Sequence, residues 1–158
     1  DDQFAGEHSM ANNRILDAVK IQSRVVIPIV KALEKEIGRE KAHRIVGEAI
    51  AGAYVEHRER RGYEANSHPR TEMDGGMDFP VEREVVTDSD TEYGHDITGC
   101  QFADYFRSIG EPEIGALMTC GVDFAAEALI RPDWDFQRTQ TRMQGASHCD
   151  FRWRKGEP

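Results

Sequence analysis

Near the end of this 158-residue chain a thiol, an imidazole and a carboxylate stand side by side, as His148, Cys149 and Asp150. Together such groups can add to an electrophilic carbon and then expel a leaving group. The thiol is a nucleophile only as thiolate, so a neighbouring cation or base must bring its pKa down from about 8.5. The triplet opens an alternating stretch, "HCDFRWRK", and alternation sends neighbours to opposite faces of a strand. Cys149 then shares a face with Phe151 and Trp153, while His148, Asp150, Arg152 and Arg154 line the other. Free cysteine is also among the most buried residue types, so spacing alone equally describes a core cysteine.

Two further cysteines, Cys100 and Cys120, complete an odd set with no CxxC pairing, a usage that fits reduced thiols in the cytoplasm. Cys120 and Asp123 lie three apart and share a helical face. A carboxylate there needs a partner or water, and Glu127, one turn on, suggests that this side turns toward water. Glu111 and Glu113 occupy a helix start, where negative charge is favoured for structural reasons alone, which leaves Asp123 the better site candidate. Cys100, Cys120, Cys149 and His148 offer zinc-type ligand atoms, but without the paired short-range spacing of structural zinc; the chain is expected to bind no metal and to need no cofactor. HExxH, P-loop, GxGxxG and GxSxG patterns are absent, which disfavours the hydrolases and transferases they mark.

These residues need elements to position them. Apolar residues recur at helical spacing from Leu16 to Ile37, with a kink or break expected just before Pro28. A second helix is expected over about 40–60, burying Ala42, Ile45, Val46, Ala49, Ile50, Ala53 and Tyr54, and stopping at Gly62. Residues 62–78 lack a period and read as an exposed connection long enough to cover a site. "FPVEREVV" and "TEYGHDITGC" read as a hairpin across "TDSD". A short aromatic helix follows Cys100, and "EPEIGALMTCGVDFAAEAL" reads as one helix with Pro112 in its first turn. Residues 136–143 read as a strand that turns at "QGAS" into the strand of Cys149. The result is a single α+β domain over 11–156, with helices packed on a mainly antiparallel β-sheet: a helical half (11–61), the connection (62–78) and a sheet half (79–156). Residues 1–10 read as a frayed end with no export signal.

Length and composition agree. A chain of 158 residues with 39% hydrophobic and 31% charged residues can bury about two thirds of its unfolded surface in one core. The net charge of -9 argues against nucleic acid and anionic lipid as partners, and the apolar run "VVIPIV" is far too short to span a membrane. That run, at the centre of a long helix, makes a homo-oligomer plausible. The basic clusters "HRERRG" and "RWRKG" are a solvated helix end and a short tail.

The stretches "DITGCQFADYFRSIGEPEIGALMTCGVDFAAEAL" and "FQRTQTRMQGASHCDFRWR" together resemble the L-2-amino-thiazoline-4-carboxylic acid hydrolase family. In that family a cysteine opens a short aromatic helix, a Gly-Glu-Pro-Glu step leads into a helix carrying Cys and Asp, and the chain finishes with Cys-Asp-Phe-Arg. The resemblance is close over roughly residues 95–154 and a matter of pattern before them. It implies hydrolytic opening of a small cyclic amidine-like ring, the small-molecule substrate. Carried onto this chain, Cys149 becomes the nucleophile or site thiol, and His148, or His95 from the preceding hairpin, moves the proton. Asp123 or Asp150 orients it or holds the cationic ring nitrogen, and Arg152 takes a substrate carboxylate. Cys100, Cys120 and Tyr105 line the pocket. The alternative is a ligand-binding or sensing domain of the same fold that performs no chemistry.

Overall fold

A computed structural model describes residues 14–74 and 79–156; the expectation of a frayed 1–10 lies outside them. Two long helices come first, α1 (Arg14–Ile37) and α2 (Arg39–Arg61), followed by a short α3 (Pro69–Asp74). A hairpin of β1 (Val81–Asp88) and β2 (Glu92–Cys100) leads into α4 (Gln101–Ser108), α5 (Pro112–Met118) and α6 (Asp123–Ile130), and β3 (Trp134–Gln137) and β4 (Cys149–Lys155) close the chain. The sheet runs β1-β2-β4-β3 and is antiparallel throughout. Helices on an antiparallel sheet make this an α+β domain.

The helical period places Leu16, Ser23 and Val30 of α1 in the interior. Pro28 does not break the helix, which continues through it. Pro28 is exposed, and so is Arg24, whose carbonyl loses its helical partner; water can replace that bond, which lowers the cost of the proline. Gly38, at φ 84°, makes the joint to α2, a backbone geometry that suits glycine. In α2 only Ala42 is fully buried, and Ile45, Ala49 and Ala53 are exposed rather than internal.

Three sequence expectations change in detail. The connection after α2 is partly ordered by α3, and His68, at its start, packs edge-on against Tyr93 and Trp134. The helix expected after Pro112 is divided: α5 ends at Met118, a 3-10 turn covers Cys120–Val122, and α6 begins at Asp123. At the break, Thr119 turns its hydroxyl back onto the Gly115 carbonyl at 2.8 Å, and Gly121 disfavours continuation. Finally, β3 covers Trp134–Gln137 instead of 136–143. Asp150 Oδ1 accepts the backbone N–H groups of Thr139 (2.9 Å) and Gln140 (2.8 Å), which diverts them from strand pairing.

The core has two centres. Leu16, Phe102, Ala103, Phe106 and Met143 join the helices, and Tyr93, Trp134 and Trp153 cover the far end of the sheet. Between them α6 is bolted to β4 by a buried ion pair. Arg131 Nη1 donates to both Glu127 carboxylate oxygens at 2.9 and 2.8 Å, and Trp153 Nε1–H donates to Glu127 Oε2 at 2.7 Å. Arg131 Nε also donates to the Ser67 carbonyl at 2.9 Å. Glu127 thus faces the interior, contrary to the sequence expectation, because Arg131, which caps the same helix, supplies a guanidinium.

Arg131 is 1% exposed, so removing it leaves a buried carboxylate without its counter-charge. Arg131→Leu is expected to cost about 3–5 kcal/mol in urea unfolding, and Glu127→Leu/Arg131→Leu to recover part of that loss. A loss below about 1 kcal/mol in the single variant would contradict the role assigned to the pair.

Candidate active site

The register of β2 against β4 sets what each face of the sheet carries. Ile97 pairs with Cys149, His95 with Phe151 and Tyr93 with Trp153, while Asp96 pairs with Asp150 and Gly94 with Arg152. Directly paired residues share a face. Cys149, His95, Phe151 and Trp153 therefore lie on one side, with Trp153 reaching α6, and His148, Asp150, Arg152 and Arg154 occupy the other.

On that second face the charges are engaged with one another. Arg152 donates to Asp96 Oδ1 at 2.7 Å and to the His95 carbonyl at 3.0 Å. His148 Nε2 lies 3.6 Å from Asp96 Oδ2 and 3.2 Å from Gln140 Nε2, and its Nδ1 is 2.9 Å from Ser147 Oγ. Burial pushes the Asp150 carboxyl up, but hydrogen bonds from Thr139 and Gln140 outweigh it and hold the group below the ordinary value. Asp150 thus anchors the 139–140 backbone. None of the contacts of His148, Asp150 or Arg152 reaches the Cys149 thiol.

On the inner face, Cys149 is 6% exposed. Its sulfur accepts the Arg142 backbone N–H at 3.2 Å. Burial raises its pKa, the Arg142 bond and Arg138 lower it, and Cys100 and Asp123 raise it further. Cys120 likewise senses Asp123, Arg138 and Cys149, and Cys100 senses Cys120. The three thiols, all free, therefore form one electrostatic neighbourhood. Cys100 caps α4 by accepting the Ala103 N–H at 3.5 Å, and the Cys120 sulfur is 3.6 Å from Thr119 Oγ1. Among the described residues, no group of three His, Cys, Asp or Glu side chains is placed to hold a metal ion.

Arg138 is the residue that sequence reasoning missed. Its guanidinium donates twice to the Cys120 carbonyl at 3.1 Å, pairs with the Asp123 carboxylate, and lies over the rings of Phe124 (5.1 Å) and Phe151 (5.5 Å). Continued alternation from Phe136 was the available signal, since it places Arg138 on the apolar side, where an arginine requires a reason. The pair spans the helix break, so Asp123 stays beside Cys120 although one helix does not carry both.

His95 is 3% exposed, its ring stacks on Phe151 at 5.1 Å, and Nδ1 has no hydrogen-bond partner. Desolvation, reinforced by Arg83 and Arg152, lowers its pKa to about 4, so near neutrality it is an uncharged imidazole with a free nitrogen. As diagonal neighbours on paired strands, His95 and Cys149 have backbones roughly 7–8 Å apart. Tyr105 is turned toward α1, with its hydroxyl 2.9 Å from Ser23 Oγ.

Two hollows lie away from the thiols. One of about 280 Å³ runs along the outer face of the sheet among Glu92, Asp135, Gln137, Arg152 and Arg154. The other, about 380 Å³, lies between α1, α2 and α5, beside the pairs Lys31–Glu111, Arg39–Glu113 and His43–Glu34. Neither includes a cysteine, and the charges around them are largely paired already, so we place the candidate site by its chemistry, on the inner face.

The depressed His95 pKa has a consequence for stability. Between about 4 and 6.5 the unfolded chain binds a proton at this position that the folded protein excludes; stability is fully present above 6.5 and declines as pH falls through that window. The full effect is worth roughly 3 kcal/mol. His95→Phe, which keeps the aromatic stack, is expected to flatten the stability profile between pH 6.5 and 4 in urea titrations; an unchanged profile would place the His95 pKa near its ordinary value.

No curated protein matches the chain. A family model described as L-2-amino-thiazoline-4-carboxylic acid hydrolase matches residues 18–153, which takes in α1 from Ala18 onward, all of α2, the sheet as far as Trp153, and every residue of the inner-face cluster. The chain belongs to that family.

Proposed function

We propose that this protein hydrolyses a small nitrogen-containing ring, a cyclic amidine or amide of the 2-amino-thiazoline-4-carboxylate kind, with Cys149 as nucleophile. The family name supports the hydrolytic class. The observation that carries the assignment of residues is the shared sheet face of Cys149 and the uncharged His95, beside the Arg138–Asp123 pair. This replaces His148, Asp150 and Arg152, whose contacts lie on the opposite face.

In this reading the thiol is held neutral at rest by burial. A substrate binding on the inner face beside Cys149 and His95 displaces bulk water, and the thiol proton passes to His95 Nδ1 through one retained water. The sulfur adds to the ring carbon between nitrogen and sulfur, the ring C–S bond breaks with its electron pair on the leaving sulfur, and the imidazolium returns the proton to it. Water then adds to the Cys149-bound amidine carbon, and the C–S bond to the enzyme breaks to free the thiol. No oxidant or reductant is needed. A substrate bearing both an amidinium and a carboxylate offers a partner to each member of the Asp123–Arg138 pair, Asp123 taking the cation and Arg138 the carboxylate.

The raised thiol pKa favours one competing reading, a binding or sensing domain in which Cys149 only packs. Turnover of L-2-amino-thiazoline-4-carboxylate separates the two. The wild type is expected to open the ring and Cys149→Ser to lose at least about 100-fold in kcat with its thermal midpoint nearly unchanged. Wild-type kcat/KM is expected to fall as pH drops through about 4, where His95 takes up its proton. Full activity in Cys149→Ser would end the covalent mechanism, and a wild type that binds the ring without opening it would favour the sensing domain.

A further inference from the structure

We infer that α1 is the contact surface between two copies of this chain, packed antiparallel about a two-fold axis at Val25. One face of α1 is exposed along its length although its centre is apolar: Ile21, Val25 and Ile29 are 62%, 61% and 53% exposed. They follow one another at intervals of four residues and so form a stripe. None of the described residues covers it, because α1 turns Leu16, Ser23 and Val30 inward on its other side.

The stripe reads almost as a palindrome in chemistry. Ile21 and Ile29 stand equally far before and after Val25, as do the exposed Ala18 and Ala32, and further out the exposed Arg14 and Glu36. An isologous contact requires this kind of self-complementary patch. With two helices antiparallel and Val25 on the axis, Ile21 meets the partner's Ile29, Ala18 meets the partner's Ala32, and Arg14 meets the partner's Glu36. On one flank Asp17 comes within side-chain reach of the partner's Lys35. The small alanines beside the isoleucines let the backbones approach. A parallel pairing would set Arg14 against Arg14 and Glu36 against Glu36, and the charges therefore select the antiparallel one.

This contact lies on the opposite side of α1 from the buried residues that meet the core, and it is independent of the proposed reaction. Sedimentation equilibrium of the wild type should give a dimer, and Val25→Glu, which sets two carboxylates together on the axis of an exposed face, should give a monomer with an unchanged circular dichroism spectrum. Arg14→Glu should weaken the dimer and Arg14→Glu/Glu36→Arg restore it. Under mild oxidation Val25→Cys should cross-link to its own copy, whereas Ala18→Cys, which faces alanine in the partner, should remain uncross-linked like the wild type. A wild type that stays monomeric at all concentrations overturns the inference, as does a Val25→Glu variant that stays dimeric. Cross-linking of Ala18→Cys as efficient as that of Val25→Cys rejects the antiparallel register. A monomer that binds anionic phospholipid vesicles through this face would assign the stripe to a lipid surface and also overturn it.

Discussion

The Glu127–Arg131 pair is the constraint on which the rest of the arrangement depends. Two opposite charges buried four residues apart, Glu127 on α6 and Arg131 at its C-cap, are costly to desolvate, and their mutual attraction offsets that cost only when the remaining hydrogen-bonding capacity is used. Here Trp153 of β4 supplies one further donor and the Ser67 carbonyl one further acceptor. Because these two partners come from separate parts of the chain, the pair fixes α6 in position over the sheet. Asp123 lies one turn before Glu127 on the same helix, so the network also sets where that carboxylate stands relative to Cys149 and Arg138.

A second constraint is the alternation of β2 and β4, which separates the polar residues into two groups with different tasks. On the outer face Arg152, Asp96 and His148 interact with one another, and Asp150 gathers the backbone of residues 139 and 140. That gathering shapes the loop that brings the Arg142 N–H to the Cys149 sulfur. On the inner face the dominant influence is burial. It raises the thiol, lowers the imidazole and leaves both uncharged near neutrality. The outer-face residues therefore serve the candidate site through the backbone, without touching it.

The sequence was most informative where a single period governs a whole element. The spacing of Leu16 to Ile37 located α1, and the alternation of Cys149, Phe151 and Trp153 identified both β4 and the residues that share its inner face. It was least informative where a side chain competes with the backbone. The Thr119 hydroxyl helps to end α5, and the Asp150 carboxylate helps to end β3 by capturing two amides; both effects depend on tertiary or local hydrogen bonds that no periodicity records. Arg138 was legible only in part, since its parity with Phe136 indicated the inward side but its partner Asp123 lies across a helix break. Glu127 was assigned to water because the guanidinium beside it could not be foreseen as buried. At Pro28 the helix continues without a break, because water can satisfy an exposed carbonyl.

The account rests on a sulfur that is neutral at rest and becomes a nucleophile when a ring is bound beside it and His95. Intact-protein mass spectrometry of samples quenched with acid milliseconds after mixing with L-2-amino-thiazoline-4-carboxylate tests this most directly. The account predicts a transient mass increase equal to one opened substrate, mapped by peptide digestion to Cys149 and absent in Cys149→Ser. Ring opening at full rate with no such adduct at any quench time, or an adduct confined to Cys100 or Cys120, would contradict it.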